Sequence, residues 1–453
     1  MTNVALHSLA PHADLQIAIM MAGIAFVLLV GLALGGIAPR FRQPVVMAEV
    51  LAGIVLGPSV LGQFPGDLTH KLFPVDSRPM LSAVSQVGLA LFMFMVGWEF
   101  EKRILRPHRG LAAAVSMSSI ACAFGLGVLV AVFLYPHHNT VAGHHISFTT
   151  FSTFMGAAMS VTAFPVLARI ITDRNLGHTR VGTLALASAA VDDILAWCML
   201  AYVSALVTSG SPRDLAQVLS LSAVYVALMF FVIKPALARL VGFFAARRKW
   251  RELLVMLASG AFLSAYATTW IGIHAIFGAF LFGFIMPREP ARELTEHLRK
   301  PLDNVSTVLL PVFFIVTGLG VDINGLGGRQ YVELLAIVAV ACLGKLLGAI
   351  GPARVFGLSW TESRALGLLM NTRGLTELII LNVAVQLGVL DSQMFTMMVI
   401  MALVTTALAG PLLPRSGVLA SAGVEVPPPA RTPDPAPPAE EPAAQKAEPG
   451  SHG

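Results

Sequence analysis

The chain has 453 residues, of which 56% are hydrophobic and only 12% are charged, whereas soluble proteins carry about 25% charged residues. This composition, with a mean hydropathy of +0.76, excludes a set of soluble domains and predicts a polytopic membrane protein. The formal net charge of +5 requires no nucleic-acid partner, because the basic residues concentrate between the apolar runs, where they set topology.

The apolar runs predict an all-α polytopic membrane protein with about thirteen transmembrane helices, because each run can cross a hydrocarbon core about 30 Å thick. The runs cover residues 15–38, 44–62, 80–98, 110–135, 148–170, 181–209, 215–244, 252–270, 271–287, 302–321, 331–351, 364–389 and 392–413. Lys and Arg lie mainly in the odd-numbered loops, which predicts an external N-terminus and a cytoplasmic C-terminus.

The chain therefore divides into three predicted parts. Residues 1–14 form an external N-terminus, residues 15–413 form the transmembrane domain, and residues 414–453 form a cytoplasmic tail. The tail is rich in Pro, Ala and Glu and has no apolar periodicity, which predicts disorder.

Two adjacent carboxylates, Asp192 and Asp193, lie in the middle of the apolar run ALASAAVDDILAWCML. A charge near the bilayer centre costs about 2.5–3.5 kcal/mol on insertion scales, so a consecutive pair indicates a functional site. Neighbouring residues on a helix point about 100° apart. The two acids can therefore have different roles, one paired with a fixed cation and the other open to a passing ion.

The span 148–170 contains a feature that interrupts a membrane helix. Pro165, in the segment SVTAFPVLARI, removes a backbone donor and clashes with the preceding turn, which predicts a kink or break near Ser160 to Ala163. Freed carbonyls and the hydroxyls of Ser160 and Thr162 would then coordinate a cation beside the carboxylates. The alternative is an ordinary proline kink with no ligand role.

A second interruption is predicted in the span 364–389. Asn371, Thr372, Arg373 and a glycine form a polar cluster that Glu377 follows, and the i,i+4 spacing of Arg373 and Glu377 favours a pair between them. The two interrupted spans are the fifth and the twelfth of the predicted series, seven spans apart. Successive spans cross the membrane in alternating directions, so spans separated by an odd number run in opposite directions. The halves are therefore expected to form an inverted repeat with a transport site near the membrane midplane.

Lys345 lies in the middle of the span 331–351, too far from either end to reach the membrane surface easily. A buried ammonium group requires a carboxylate partner. Asp192, Asp193 and Glu377 are the candidates at that depth, and we select Asp192.

Seven segments together resemble the monovalent cation:proton antiporter superfamily, and most closely plant cation/proton exchangers and the membrane domains of Kef-type bacterial antiporters. The resemblance covers nearly the whole chain to about residue 413, and so many long matches in order are more specific than one motif. The segments are QPVVMAEVLAGIVLGPSVLG (43–62), LALFMFMVGWEFE (89–101), SVTAFPVLARI (160–170), ALASAAVDDILAW (185–197), GIHAIFGAFLFGFIMPR (272–288), LLPVFFIVTGLGVD (309–322) and MNTRGLTELIILNVAVQLGVL (370–390).

The resemblance implies an inverted-repeat antiporter fold with two broken crossing helices, and an elevator-type homodimer in which a core domain moves against a dimerisation domain. By the family pattern, Asp193 carries the ion or proton and Asp192 pairs with Lys345. The resemblance also bears on charge movement, because electrogenic members of the family have two adjacent aspartates, as this chain does. Electroneutral members usually have Asn at the first of the two positions. Kef-type systems add a cytoplasmic nucleotide-sensing domain that this sequence does not show, so we do not carry that regulation over.

The expected function is exchange of Na⁺ or K⁺ for H⁺ across the cell membrane by alternating access, without enzymatic activity. Asp193 would hold either a proton or a cation, in a monovalent-cation site that also includes Asp192, Thr162 and Ser160. No cofactor is expected, because the sequence contains no glycine-rich nucleotide-binding fingerprint in a strand–helix setting. The expected partners are the two ions, membrane lipid and a second copy of the chain.

Three alternatives remain at this point. The first is a K⁺/H⁺ efflux system that needs a regulatory partner. The second is a cation channel, which a lysine in the site disfavours because its charge opposes free passage of cations. The third is an intramembrane aspartyl protease, which needs two acids on facing helices that share a proton, a geometry that adjacent acids on one helix do not give.

The remaining polar features lie outside this site. The run PHHNTVAGHH, Pro136 to His145, is interpreted as a solvated outer loop, with metal binding or sensing of external pH as the alternatives. His274 is interpreted as a packing residue rather than a ligand.

Overall fold

The structure is a computed structural model that describes residues 12–41, 43–66, 68–74, 77–99, 109–174, 176–177, 179–208, 212–288 and 291–413. The regular structure of the described chain is helical except for a hairpin of two short strands, β1 (Thr140–Val141) and β2 (His144–His145). The predicted disordered tail, 414–453, and most of the predicted external N-terminus lie outside the described residues.

Eighteen α-helices occur among the described residues. In chain order they are α1 (His12–Ile37), α2 (Val45–Leu56), α3 (Leu68–Leu72), α4 (Arg78–Glu99), α5 (Arg109–His138), α6 (Phe148–Ser160), α7 (Phe164–Asp173), α8 (Arg180–Thr208), α9 (Pro212–Leu228), α10 (Lys234–Ala246), α11 (Trp250–Ile271), α12 (Ala275–Phe284), α13 (Ala291–Leu294), α14 (Lys300–Leu319), α15 (Gly328–Val355), α16 (Trp360–Met370), α17 (Leu375–Gln386) and α18 (Ser392–Leu412). Short π-helical turns join α9 to α10 and α13 to α14.

Eleven helical segments in the described part of the chain are long and apolar enough to cross a membrane. They coincide with eleven of the thirteen predicted spans. The other two predicted spans are 148–170, which is divided into α6 and α7, and 271–287, where α12 has only 10 residues. The helical membrane class is confirmed, whereas the count of thirteen crossings stays a prediction.

The helices pack in two groups. The core group contains α5 to α8 and α15 to α18, and the scaffold group contains α1, α2, α4, α11, α12 and α14. Within the core group, the order of long helix, interrupted helix and long helix occurs twice, as α5 to α8 and again as α15 to α18. This arrangement agrees with the two equivalent halves that the sequence predicts.

Small residues bring the two longest core helices together. A Cβ atom on Gly344 of α15 would lie 2.8 Å from the Cα atom of Ala123 on α5, and one on Gly348 would lie 2.6 Å from the Cα atom of Ser119. Only glycine permits this approach, because real Cβ atoms do not come so close to a backbone. The contact carries Lys345, which follows Gly344, into the interior of the core group.

Both predicted interruptions are present. The first helix ends at Ser160, and α7 begins at Phe164 with Pro165 in its first turn, where proline is tolerated because its missing N–H has no partner there. The second helix ends at Met370, and α17 begins at Leu375 after four residues without helical structure.

The two interruptions meet each other. The N–H of Ala163 donates to the carbonyl oxygen of Thr372 at 3.1 Å, and the hydroxyl of Thr162 lies 2.8 Å from the carbonyl oxygen of Met370. These bonds satisfy backbone groups that a broken helix leaves open, as burial in a membrane protein requires. The double aspartate of α8 lies beside this meeting point.

Candidate functional site

Asp192 is fully buried in a network that uses both of its carboxylate oxygens. Its Oδ1 accepts a hydrogen bond from Ser116 Oγ at 2.5 Å, and its Oδ2 lies 2.7 Å from Thr162 Oγ1 and 2.9 Å from Lys345 Nζ. Lys345 Nζ also donates to Thr162 Oγ1 at 2.8 Å. Asp192 and Lys345 therefore form a fully buried ion pair, and the hydroxyls of Ser116 and Thr162 complete its hydrogen bonds.

Asp193 has a different environment, although it is the next residue on α8. Its carboxylate accepts a hydrogen bond from the backbone N–H of Phe164, and its Oδ1 lies 3.4 Å from Thr376 Oγ1. It retains 6% of its accessible surface, whereas Asp192 retains none. Asp193 therefore lies beside the first turns of both α7 and α17, where helix dipoles favour a negative charge, and it is the less enclosed of the two acids.

Arg373 joins the two interruptions from inside the core. Its Nη1 donates to the carbonyl oxygen of Ala158 at 2.9 Å and to Glu377 Oε2 at 3.0 Å, and its Nη2 donates to the carbonyl oxygen of Met159 at 2.7 Å. Both ionic side chains are fully buried. The predicted pair between Arg373 and Glu377 is present, and the guanidinium additionally satisfies carbonyl groups in the last turn of α6.

The other polar residues singled out in the sequence form more local bonds. Ser160 Oγ donates to the carbonyl oxygen of Gly156 at 2.6 Å and lies 3.3 Å from that of Ile120, so within the described chain its hydroxyl is not bonded to either aspartate. Thr372 Oγ1 donates to the carbonyl oxygen of Leu369. Asn371 Nδ2 contacts the sulfur of Cys342 at 3.4 Å.

Three hydroxyl residues of this site do not emerge from the sequence. Ser116 binds Asp192, Thr376 binds Asp193, and Thr406 both accepts from the N–H of Arg373 at 2.8 Å and donates to its carbonyl oxygen at 2.6 Å. Serine and threonine are common in membrane helices, where they usually bond to a carbonyl one turn earlier. The one available signal was the position of Thr376 directly after the second interruption.

The interpretation of Pro136 to His145 as a solvated loop is wrong for its first part. Helix α5 continues through Pro136 to His138, and the side chain of His138 is 1% exposed. The second pair, His144 and His145, is exposed on the β-hairpin. No group of three or more His, Cys, Asp or Glu side chains arranged to hold a metal ion occurs among the described residues.

His138 is buried because it joins three core helices. Its Nδ1 lies 2.6 Å from Asp391 Oδ2 at the start of α18, and its Nε2 lies 3.2 Å from Glu333 Oε2 on α15. Arg329 also contacts this glutamate, at 3.2 Å from Oε1. Both ring nitrogens face carboxylates, and only the charged imidazolium donates from both nitrogens. The sequence did not reveal this cluster because the partners are far apart along the chain.

Two hydrogen bonds connect α17 of the core group to the scaffold group. Asn382 Nδ2 donates to Thr317 Oγ1 on α14 at 2.9 Å. Gln386 Oε1 lies 3.0 Å from Nε2 of His274, whose Nδ1 accepts from the N–H of Ile276 and caps α12. His274 is therefore a capping and bridging residue, and no metal ligands surround it in the described structure.

Comparison with known proteins agrees with this geometry. A family model described as "Sodium/hydrogen exchanger, transmembrane" matches residues 24–416. The chain is 41% identical over 392 residues to the Na(+)/H(+) antiporter NhaS4 of Synechocystis sp., which covers 85% of this chain and 95% of that protein. It is 37% identical to the Cation/H(+) antiporter 15 of Arabidopsis thaliana and 35% identical to the K(+)/H(+) antiporter 1 of Saccharomyces cerevisiae, over 82% of this chain in each case. These matches span 45% of the plant protein and 43% of the yeast protein.

The fold is also similar to that of a solved structure. The sodium proton antiporter MjNhaP1 from Methanocaldococcus jannaschii aligns over 89% of this chain and 98% of its own, with a TM-score of 0.66 and 14% sequence identity. The antiporter fold that the sequence resemblance implies is thus confirmed. The match over most of the chain and the identity to these relatives show that the chain belongs to the sodium/hydrogen exchanger family.

Proposed function

We propose that the protein exchanges a monovalent cation, Na⁺ or K⁺, for H⁺ across the cell membrane by alternating access. The observation that carries this proposal is the divergence of two adjacent acids. Asp192 is held in an ion pair by Lys345 and in hydrogen bonds by Ser116 and Thr162. Asp193 has only the Phe164 N–H and a long contact to Thr376 among its described partners.

In this mechanism Asp193 is the ion carrier. Its single negative charge is neutralised by a proton or by a dehydrated cation, so the arrival of one displaces the other. Lys345 balances the charge of Asp192, and Thr162 is hydrogen-bonded to both of them. Ser160 shapes the end of α6 rather than contributing a ligand. Exposure of the loaded site then alternates between the two membrane faces, and an inward proton gradient drives cation efflux.

The proposal extends to the assembly and orientation of the protein. The core group moves as an elevator against the scaffold group, and the scaffold groups of two copies form a homodimer in the lipid bilayer. The N-terminus is external and the C-terminus is cytoplasmic, because basic residues are concentrated in the loops on one side. The chain functions in the cell membrane of its organism.

Both Na⁺ and K⁺ are candidate cations, because the similar proteins include a Na(+)/H(+) antiporter and a K(+)/H(+) antiporter. A K⁺/H⁺ efflux system that needs a regulatory partner is the second candidate function. A channel is disfavoured by Lys345, which is fully buried within 2.9 Å of Asp192 Oδ2 and places a fixed positive charge beside the site.

The first test is proton flux in everted vesicles from cells without their own antiporters. A pH-sensitive dye is quenched by respiration, and NaCl or KCl is then added. We expect one salt to dequench the dye in vesicles with the protein and not in vesicles without it. The effective salt identifies the cation.

A second assay separates exchange from conduction. Purified protein is reconstituted in liposomes with equal K⁺ and valinomycin on both sides, which holds the membrane potential at zero, and an outward Na⁺ gradient is imposed. An antiporter acidifies the lumen, whereas a Na⁺ channel leaves the lumen pH unchanged. Absence of salt-dependent proton flux with both NaCl and KCl in the vesicle assay would contradict the proposed function.

A further inference from the structure

The proposed function leaves open which cation Asp193 selects, and the geometry around Thr376 bears on that choice. Thr376 is the second residue of α17, directly after the second interruption, and it is 3% exposed. Its Oγ1 lies 3.4 Å from Asp193 Oδ1, which is long for an O–H···O hydrogen bond, where about 2.7–2.8 Å is usual. The two oxygens are therefore adjacent but only weakly bonded.

The separation of these oxygens corresponds to one edge of a coordination shell. Oxygen ligands lie about 2.3–2.6 Å from Ca²⁺, an ion with nearly the radius of Na⁺, and two ligands at right angles around such an ion are about 3.4 Å apart. The larger K⁺ ion has longer bonds to oxygen, so at the same angle its two ligands would lie farther apart. The edge between Thr376 and Asp193 therefore fits an ion of the size of Na⁺.

The hydroxyl can change its role between the two states of the site. Without a cation, the Thr376 O–H donates its proton to the Asp193 carboxylate, as the contact shows. With a cation, rotation about the C–O bond turns a lone pair of the same oxygen towards the ion. Because the hydrogen bond to Asp193 is weak, replacing it with a bond to the cation costs little free energy. The same hydroxyl can therefore contact Asp193 in its protonated, ionised and cation-loaded states.

The other nearby hydroxyls are already committed to other partners. The hydroxyls of Ser116 and Thr162 are hydrogen-bonded to Asp192. The hydroxyl of Thr372 bonds to the carbonyl oxygen of Leu369, and that of Thr406 bonds to the backbone of Arg373. Of the hydroxyl bonds in the described site, only that of Thr376 reaches Asp193.

We propose that Thr376 is a cation ligand and a selectivity residue, and that with Asp193 it favours Na⁺ over K⁺. This inference rests on the proposed function, because it assigns a ligand to the same transport site. It places one ligand on each of two elements, α8 and α17. A bound ion would therefore hold the start of α17 against α8, so the position of α17 depends on whether the site is occupied.

The test uses the full-length protein in proteoliposomes and compares the half-saturating Na⁺ and K⁺ concentrations of four proteins. Thr376→Val removes the hydroxyl but keeps the shape, and Thr376→Ser keeps the hydroxyl. Thr405→Val is the matched control, because this buried threonine of α18 bonds only to carbonyl groups of its own helix. Thr376→Ala replaces the valine variant if that variant does not accumulate in the membrane.

We expect Thr376→Val to raise the half-saturating Na⁺ concentration about tenfold or more, which corresponds to about 1.4 kcal/mol of lost binding free energy. The value for K⁺ should change by less than about threefold, so the preference for Na⁺ declines. Thr376→Ser should stay within about threefold of the wild type for both ions. A merely structural role would instead lower the maximal rate and leave the Na⁺ to K⁺ ratio unchanged.

A second readout does not depend on transport. Na⁺ should raise the unfolding temperature of purified wild type and of Thr405→Val, and it should have a much smaller effect on Thr376→Val. A wild type that exchanges cations, together with a Thr376→Val variant of unchanged Na⁺ dependence, overturns the inference and leaves the proposed function intact. The same holds for a wild type that prefers K⁺. A wild type that exchanges neither ion overturns both.

Discussion

Asp192 and Asp193 are adjacent on α8 and yet have no hydrogen-bond partner in common. Helical geometry predicts this separation, and the sequence also predicted the partnership of Asp192 with Lys345, which the structure shows at 2.9 Å. Ionised residues are rare in membrane helices, so each one is a strong signal. The hydroxyls of Ser116 and Thr376 were not predictable, because their roles depend on contacts between distant helices.

The ion pair gives the first prediction. Lys345→Met leaves the Asp192 carboxylate buried without a cation, and removal of one partner from a buried pair costs about 3–5 kcal/mol. The double variant Asp192→Asn, Lys345→Met removes both charges of this pair, so neither is left without its partner, and it should recover part of that loss. Thermal unfolding in detergent at neutral pH measures both. Equal stability of the wild type and Lys345→Met would contradict the pairing.

The second prediction concerns Asp391, which precedes α18. Burial alone raises the pKa of its carboxyl group, but the hydrogen bonds from His138 and from the N–H of Met394 outweigh burial and hold the pKa below its usual value. A carboxyl group with a lowered pKa stabilises the fold above its unfolded pKa of about 4, and that contribution is lost as pH falls through the lower folded value.

Asp391→Asn removes this dependence. We expect the variant to unfold at a lower temperature than the wild type at pH 6, and the difference to shrink as the pH is lowered below about 4. The unfolding temperature measured across pH checks this expectation. A difference that is constant over the whole acid range would show that the carboxyl group does not titrate as described.

At the scale of elements, the two interrupted helices depend on Arg373 and on α18. The last four carbonyl groups of a helix have no partner in that helix, and water is absent at this depth. Pro165 and the polar cluster after Met370 were sufficient to predict where the helices break. That Arg373 on one interrupted helix satisfies the end of α6 on the other could not be predicted, because it depends on how the two helices cross.

Two neighbouring threonines of α18 test how the second interruption is held. Thr406→Val removes two hydrogen bonds to the backbone of Arg373 and leaves buried groups unpaired, at a cost of about 1–3 kcal/mol. Thr405→Val removes only bonds within α18, where the carbonyl groups retain their helical partners. We expect a clear loss of thermal stability in the first variant and a change within about 0.5 kcal/mol in the second. Equal effects would argue against a role for Thr406 at the interruption.

At the scale of the whole molecule, the core and scaffold groups meet along α17. Asn382 and Gln386 are one helical turn apart and both bond to scaffold residues, Thr317 and His274. The sequence predicted the positions and order of the eleven long apolar helical segments, because apolar length is a local property. How the helices divide into two groups, and why α12 is so short, depend on packing between segments far apart in the chain.

Relative movement of the groups predicts that a cross-link between them stops transport. In a background without Cys122, Cys198 and Cys342, the paired substitutions Thr317→Cys and Asn382→Cys replace two side chains that are now joined by a hydrogen bond of 2.9 Å. Oxidative cross-linking should abolish exchange, and reduction should restore it. Either single cysteine variant is the control. Undiminished exchange in the cross-linked protein would contradict movement at this contact.

The central claim is that Asp193 carries the transported ion or proton. The most direct measurement compares cation-dependent proton flux in proteoliposomes of the wild type and Asp193→Asn, with Asp391→Asn as a control that removes a carboxyl group far from the transport site. The claim predicts that Asp193→Asn accumulates in the membrane and has no cation-dependent flux at any pH, whereas Asp391→Asn retains it at neutral pH. Exchange by Asp193→Asn with normal cation dependence would contradict it.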